Sequence, residues 1–499
     1  MNRSPLPLAS LPVLVFGLVL SAQDAGMVLR TSVAYGALKN TLPLTGEQRR
    51  QVDQLARDAQ LANRAGQYGD ALRCLYQGMA AMRNAPWTPA LEFASSLQSK
   101  LDHAVVEPGA TVAVTLSPLF AAPRAAGIKL SASLVLVPVK NDGPAPKPLG
   151  APAAVDPAAV PFTTRVALPE TPLGDYTIEV SLSADGKAPP AAAGVAFTKS
   201  LPIHIDTLAE PVQRLRARLL KAPEKNGLAS AQYAVIRYQR SDAGDLNPAR
   251  VNFREEFAAA HAILDALEAG KDPFAGQRGD FHRAYRSAVD DTLQPYRLFI
   301  PESHDGSKPT PLLVALHGMG GDENSLFDAE AYANGLLKVQ AERVGFIVVC
   351  PKGRDSASMY RGAAERDVLD AMADVERTYR IDSSRIYLMG HSMGAYGTWS
   401  IAMAHPGIFA ALGPISGGGS PAGMAQIRQI PEYVVHGDDD RTVSVTQSRT
   451  MVEAGKKAGA DIVYVEVPGG SHTSVAAPAF GAMLDFFARQ RKRAEPNAR

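Results

Sequence analysis

Ser392, Asp440 and His472 have the residue types and the chain order that nucleophilic catalysis by a serine requires. Residues 390–394 read GHSMG, which completes the apolar stretch SRIYLM and precedes the helix-like stretch AYGTWSIAMA. Glycines on both sides of the serine permit a sharp turn that exposes its oxygen beside a helix N-terminus. Asp440 closes the stretch EYVVHGDDD, and His472 follows VEVPGGS. This order predicts that His472 accepts the Ser392 proton while Asp440 orients the imidazole.

The alternatives at these positions are turn and loop chemistry. GHSMG is also compatible with a tight turn that happens to contain serine. Asp438 and Asp439 compete with Asp440 for the role of the acid. His317 and His436 each precede a glycine at the end of an apolar stretch, so we expect them to brace loops through hydrogen bonds. Because the base must be neutral and an unperturbed histidine titrates near about 6.5, we expect activity to fall in mild acid.

A second group of residues would stabilise charge and contact the substrate. The stretch LLVALHGMGG runs from an apolar strand into a glycine-rich turn. The backbone N–H groups of Met319 in that turn and of Met393, directly after the serine, would form an oxyanion hole. We expect a substrate pocket lined by residues near the nucleophile and in the loop SGGGSPAG, namely Tyr396, Trp399 and Gly417.

The charge balance argues against nucleic acid as a partner. Lysine and arginine number 51 against 50 aspartate and glutamate residues, which gives a formal net charge of +1. Binding to a phosphate backbone requires a basic patch, and the sequence contains none with interleaved aromatic residues. The 46% hydrophobic and 20% charged residues are typical of a folded globular protein.

Residues 1–22 predict a secretory signal peptide. One arginine precedes an apolar run over residues 11–20, and small residues follow it. A membrane anchor is the alternative, but this run is shorter than the roughly 20 residues that cross a bilayer. We therefore expect export to the periplasm or the exterior, with no stable membrane span after signal cleavage.

Neither a disulfide, a metal nor a cofactor is expected. The two cysteines, Cys74 and Cys350, lie far apart in what we predict to be different domains, so we interpret them as free buried thiols. Neither lies near a histidine or a second cysteine at metal-ligand spacing. A serine-based mechanism of the kind described above needs no cofactor.

Hydrophobic periodicity divides the chain into four regions after the signal peptide. Residues 45–100 have helical spacing with a break near Gly66, and one tetratricopeptide-like unit is too little for a solenoid, so we expect a helical hairpin. Residues 103–206 alternate between apolar and polar positions and predict a small β-sandwich. Residues 207–279 predict a helical linker region, and residues 280–492 predict a doubly wound α/β domain with a parallel sheet.

The last region resembles the α/β-hydrolase superfamily over roughly residues 290–490. The stretches that carry this resemblance are PYRLFIP, LHGMGGDE, VCPKGR, GHSMGAYGTW, HGDDDRTV and GGSH. They are most similar to exported esterases of the polyhydroxybutyrate-depolymerase-like and feruloyl-esterase-like type, which are related to prolyl oligopeptidase catalytic domains. The resemblance implies that Asp440 is the acid, with Val443 closing H-G-x-x-D-x-x-V, and that Met319 lends an oxyanion N–H.

Three functional hypotheses follow: two are enzymes and one is a binding protein. The first is an exported serine carboxylesterase that forms an acyl-enzyme at Ser392 and acts on polysaccharide-linked or polyester substrates. The second is a serine peptidase of the prolyl oligopeptidase type, although no sevenfold repeat of propeller-blade length is present. The third is a catalytically inert binding or envelope protein. The oligomeric state is left open.

Overall fold

The structure is a computed structural model that describes residues 25–125, 127–140, 143–184, 194–355 and 357–492. The predicted signal peptide, residues 1–22, lies outside the described residues. No helix within the described ranges is long and apolar enough to cross a membrane. Cys74 and Cys350 are both free, the first half-buried and the second buried.

Helices open the described part of the chain. They are α1 (Ala25–Thr41), α2 (Gly46–Arg64), α3 (Tyr68–Met82) and α4 (Pro89–Ser96). Thr45 and Gln48 form a capping box at the start of α2, because each side chain accepts the other residue's backbone N–H. Helix α1 was not predicted. Its Tyr35 packs against Gly78 of α3, and the Tyr35 hydroxyl donates to the Val52 carbonyl of α2.

Short strands follow and form two sheets around one core. Their bounds are β1 (Leu97–Leu101), β2 (Val105–Val106), β3 (Thr111–Pro118), β4 (Leu130–Pro138), β5 (Lys147–Pro148), β6 (Ala153–Val155), β7 (Phe162–Ala167), β8 (Gly174–Ala184) and β9 (Thr198–Ile205), with helix α5 (Gly194–Phe197) before β9. One sheet has the order β1-β3-β7; the other has the order β2-β9-β8-β4-β5, with β6 also paired to β4. Alternate residues of β4 and β8 are buried in the shared core, as a half-covered strand requires.

Three helices then lead to the C-terminal domain. They are α6 (Ala209–Leu219), α7 (Leu228–Asp242) and α8 (Phe253–Glu268). Asp242 at the end of α7 accepts the Val105 N–H at 3.1 Å and contacts His103 at 2.8 Å. On the other side, Ser230 of α7 exchanges hydrogen bonds with the backbone of Ala284. The helices therefore contact both the sandwich-like region and the catalytic sheet.

A mixed sheet with helices on both faces forms the C-terminal domain. Its strands are β10 (Gly279–Arg286), β11 (Leu293–Ile300), β12 (Thr310–Leu316), β13 (Ile347–Pro351), β14 (Ile381–His391), β15 (Ala411–Ile415), β16 (Glu432–Gly437) and β17 (Ile462–Val467), and its helices are α9 (Ser325–Asp328), α10 (Leu336–Val344), α11 (Ala363–Glu376), α12 (Met393–Ala404), α13 (Thr446–Lys457) and α14 (Ala476–Ala488). The strand order is β10-β11-β13-β12-β14-β15-β16-β17.

Pairing in this sheet is antiparallel from β10 through β13 and parallel beyond it. The central strands are fully buried because α10 and α14 cover one face while α11, α12 and α13 cover the other. This arrangement confirms the predicted α/β class and the doubly wound α/β-hydrolase catalytic domain. The loops after the parallel strands meet at one rim, where such folds place their functional groups.

Candidate active site

Ser392 occupies a strained turn between β14 and α12. Its φ of 56° and ψ of −117° are values that a side-chain-bearing residue rarely adopts. Only glycine fits at the two flanking positions: a Cβ on Gly390 would lie 2.3 Å from the Gly394 carbonyl oxygen, and one on Gly394 would lie 2.2 Å from that of Leu316. The turn therefore places the serine hydroxyl, which is partly exposed, at the rim of the sheet.

The three residues at the centre of the sequence analysis meet at this rim. The Ser392 Oγ lies 2.8 Å from the His472 Nε2, and the His472 Nδ1 lies 2.7 Å from the Asp440 Oδ2. Asp440 is ionised and can only accept, so the Nδ1 of His472 carries the hydrogen. The Nε2 is then free to accept the serine proton, which is the arrangement a general base needs.

Asp440 is held by four donors. Its Oδ1 accepts the backbone N–H groups of Thr442 and Val443 at 2.8 and 2.9 Å. Its Oδ2 accepts from His436 at 3.0 Å as well as from His472. Burial alone would raise the pKa of this carboxyl, but the hydrogen bonds from the two histidines outweigh burial and hold the pKa well below its usual range.

The two rival acids lie elsewhere. Asp438 accepts the Gly469 N–H at 2.6 Å, and exposed Asp439 pairs with Arg441 at 3.0 Å. Neither contacts His472, because the turn after β16 directs only the third carboxylate of the DDD stretch inward.

The glycine-rich loop after β12 lies against the nucleophile. A Cβ placed on Gly318 would be 3.4 Å from the Ser392 Cβ, so this backbone runs directly beside the serine. Among the described residues, the N–H groups of Met319 and Met393 have no backbone acceptor. Free N–H groups beside a nucleophile are what an oxyanion hole offers to a substrate.

Two buried histidines contact the triad, and sequence reasoning did not assign them this task. His391 lies 2.8 Å from both the Tyr332 hydroxyl and the backbone carbonyl of His472. Burial, with a smaller effect of His472, lowers the pKa of His391 to about 4, so it is a neutral donor to that carbonyl. His436 contacts Asp440. A histidine directly before Gly or Ser at a strand end was the available signal, but sequence does not identify the partner.

The three predicted pocket residues have different environments. Tyr396 in the first turn of α12 is partly exposed, and its hydroxyl donates to Gln447 at 2.9 Å. Gly417 is buried against the turn, since a Cβ there would lie 2.3 Å from that of Ala395. The prediction for Trp399 is wrong: it is 0% exposed, and its indole donates to Glu432 at 2.8 Å in the core. Because α12 is covered on nearly every side, its apolar residues face the core.

A cavity of about 1250 Å³ lies outside the triad, between α7, α8 and the β10–β11 edge of the sheet. Its wall on the catalytic side includes Asp322 and Asn324, which follow the glycine-rich loop. Two arginines in its wall are paired with carboxylates, Arg237 with Glu256 and Arg297 with Asp280. Across the described ranges, no three His, Cys, Asp or Glu side chains are grouped so as to hold a metal ion.

Residues 294–498 match the model of a family described as putative esterase. This match, which covers about two fifths of the chain, confirms the resemblance of the C-terminal domain to esterases of the α/β-hydrolase superfamily. The matched segment contains all three residues of the hydrogen-bonded triad and begins in β11.

Named relatives are also similar to this chain. The chain is 30% identical over 141 residues to a bifunctional acetylxylan esterase/xylanase of Neocallimastix patriciarum, covering 28% of this chain and 20% of that protein. It is 28% identical over 186 residues to a probable feruloyl esterase C of Aspergillus flavus, covering 36% of this chain and 68% of the relative. A feruloyl esterase B of Neurospora crassa is 35% identical over 123 residues, with coverages of 22% and 40%. The chain thus spans about a fifth of the first relative's length.

Solved structures also align with the protein. A thermostable esterase aligns with a TM-score of 0.40 at 17% identity, over 79% of this chain and 99% of that one. A ferulic acid esterase aligns with a TM-score of 0.38 at 19% identity, over 43% of this chain and 99% of the other.

Proposed function

Starting from the esterase family of its C-terminal domain, we propose that this protein is an exported serine carboxylesterase that works through an acyl-enzyme. The observation that carries the proposal is the continuous pair of hydrogen bonds from Ser392 through His472 to Asp440. A resting serine is a weak nucleophile, and an adjacent oriented base is the means by which enzymes activate it.

In the proposed reaction, the Ser392 Oγ attacks the ester carbonyl carbon while its proton passes to the His472 Nε2. The carbonyl oxygen becomes an oxyanion that the N–H groups of Met319 and Met393 stabilise. The intermediate collapses as the alcohol leaves with the proton from His472. Water, deprotonated by the same imidazole, then attacks the acyl carbonyl carbon; the carboxylic acid leaves as His472 returns the proton to the Ser392 Oγ. Asp440 stabilises the imidazolium in both halves.

For the substrate, we propose esters carried by plant cell-wall polysaccharides, with feruloyl or acetyl groups as the acyl part. The relatives named as feruloyl and acetylxylan esterases support this class. Export agrees with it, because such polymers lie outside the cell. The signal-peptide pattern of residues 1–22 supports export.

The test compares the full chain with Ser392→Ala on methyl ferulate, p-nitrophenyl acetate and an aminoacyl-prolyl anilide. We expect ester turnover in the parent and its loss in the variant, with unchanged melting temperatures. A fluorophosphonate probe should label the parent at Ser392 only. Faster anilide than ester cleavage would favour the peptidase, and ester turnover that persists in Ser392→Ala would contradict the proposal.

A further inference from the structure

We propose that His436 is a positioning residue that directs the Asp440 carboxylate and, through it, tunes the basicity of His472. The inference rests on the proposed function, in which Asp440 and His472 serve the nucleophile. His436 is the penultimate residue of β16 and is 0% exposed. His436 therefore extends the row of hydrogen-bonded side chains, which runs from Ser392 through His472 and Asp440 to His436.

The tautomer of His436 follows from its partners. The Nε2 lies 3.0 Å from the Asp440 Oδ2 and 3.0 Å from the carbonyl oxygen of Val443. An ionised carboxylate and a carbonyl can only accept hydrogen bonds, so the Nε2 carries the hydrogen and donates to both. His436 therefore fixes the carboxylate of Asp440 relative to the loop that follows it.

The other ring nitrogen connects His436 to the support of the nucleophile. The Nδ1, which carries no hydrogen in this tautomer, lies 2.7 Å from the Ser448 Oγ and can accept its hydrogen. The Gly417 carbonyl oxygen, 2.9 Å from the same Oγ, is the alternative acceptor of that hydrogen. Gly417 packs on the turn, where a Cβ on it would be 3.3 Å from the Ser392 carbonyl oxygen. Through Ser448, His436 therefore connects the loop that carries Asp440 to Gly417, which packs against the turn of Ser392.

The electrostatic consequence has a definite sign. The Asp440 Oδ2 divides its charge between two imidazole donors, so removing the one at His436 concentrates that charge on the Nδ1–H of His472. The imidazolium of His472 then becomes more stable, so His472 is protonated at a higher pH. Because the base must be neutral, the acid limb of the activity profile moves to higher pH. Among the described residues, the titratable groups near this row include His391, Tyr396 and Glu466, and Asp438 and Asp439 lie in the same turn as Asp440. Among the described side chains, only His436 and His472 donate to the carboxylate itself.

The experiment measures kcat/KM for p-nitrophenyl acetate from pH 5 to 9 in His436→Leu, His436→Gln and Ser448→Ala. We expect His436→Leu to shift the acid limb up by about half a pH unit and to lower kcat about tenfold with little change in KM. His436→Gln keeps an N–H near Asp440, so its acid limb should lie at the same pH as that of the parent. Ser448→Ala keeps the donor and should lower turnover without moving the limb.

An acid limb that stays in place in folded His436→Leu would overturn the inference, as would equal profiles for the Leu and Gln variants. Should the Leu variant not fold, His436→Asn replaces it, because the shorter amide does not reach Asp440; the same unshifted limb would then overturn the inference. These results are separable from the proposed function: activity in Ser392→Ala contradicts that function, whereas an unmoved limb contradicts only the role of His436.

Discussion

His391 donates its Nε2 hydrogen to the backbone carbonyl of His472, 2.8 Å away, and so connects the residue before Ser392 to His472. The two imidazole rings lie 4.9 Å apart between centroids. Tyr332 holds the opposite ring nitrogen of His391 at 2.8 Å. The C-terminal half of β14 is fully buried, so the contact anchors the loop of His472 to a buried strand in the middle of the sheet.

Replacing His391 by leucine should misplace the base without unfolding the domain. We expect kcat to fall roughly 10- to 100-fold, since an ångström of misplacement costs about that much, while KM changes little. His391→Gln retains a donor for the His472 carbonyl and should recover part of the loss. Steady-state kinetics on a small ester measure both variants, and equal activity of leucine variant and parent would contradict the anchoring role.

The DDD stretch offers a matched test of the acid. We expect Asp440→Asn to lower kcat by about 10⁴, because the amide no longer selects the right tautomer of His472. Asp439→Asn should keep the parent's activity, since that side chain is exposed and contacts only Arg441. Ester hydrolysis by the two purified variants decides the point. A greater loss in the Asp439 variant would reassign the acid.

Gly394→Ala should disrupt the turn through sterics alone. The added methyl would overlap the Leu316 carbonyl oxygen at 2.2 Å, and backbone on both sides is buried. We expect a loss of about 1–3 kcal/mol or more in the free energy of unfolding, together with loss of activity. Gly407→Ala is the control, because no atom lies within 4 Å of its new methyl. Urea denaturation of both variants measures the difference; similar stabilities would be inconsistent with the close approach.

Glu432 makes stability depend on pH. Burial raises its pKa to about 7, against a smaller opposing effect of the Trp399 hydrogen bond. Between about pH 4.5 and 7 the folded state keeps a proton that the unfolded chain has released, so this group lowers stability as pH rises through that window and no further above it. Glu432→Gln cannot ionise and should gain about 2–3 kcal/mol relative to the parent between pH 4.5 and 8.

Urea denaturation of the parent and Glu432→Gln at both pH values gives this difference, and every other titrating group cancels in the comparison. A stability difference that is the same at pH 4.5 and pH 8 would mean that Glu432 does not titrate in the window.

Asp374 compensates a buried guanidinium. The Arg283 Nη2 donates to its Oδ2 at 2.9 Å, and the arginine side chain is only 1% exposed. Asp374→Asn should cost about 3–5 kcal/mol, because it leaves that positive charge buried without a counter-charge. Asp370→Asn breaks a pair with the exposed Arg366 on the same helix and should cost less than about 1 kcal/mol. Comparable thermal shifts for the two variants would argue against a buried ion pair.

The motifs in the sequence predicted that Ser392, His472 and Asp440 come together, and they do so because each follows a strongly apolar strand of the parallel sheet. Strand ends in such a sheet share one rim, so residues far apart in sequence become neighbours. Choosing Asp440 within three consecutive carboxylates required the resemblance to a motif, since composition does not distinguish them. The contacts of His391 and His436 depend on loop paths that no local pattern encodes.

Trp399 illustrates the opposite outcome. Proximity to Ser392 in sequence suggested a pocket wall, yet one helical turn is enough to rotate a side chain from the rim into the core. Helix α12 is apolar around its whole circumference, so its sequence did not show which face is exposed to solvent and which is buried. Helix α1 escaped notice for a similar reason, as its apolar and polar residues do not segregate along one stripe.

The order of the triad along the chain has a consequence for biosynthesis. His472 lies 80 residues after Ser392, on the loop that follows the last strand of the sheet. Under the proposed function, a nascent polypeptide therefore contains the Ser392 nucleophile well before it contains the imidazole that would activate it. We therefore expect esterase activity to begin only after the loop that carries His472 has been synthesised and has folded against β14.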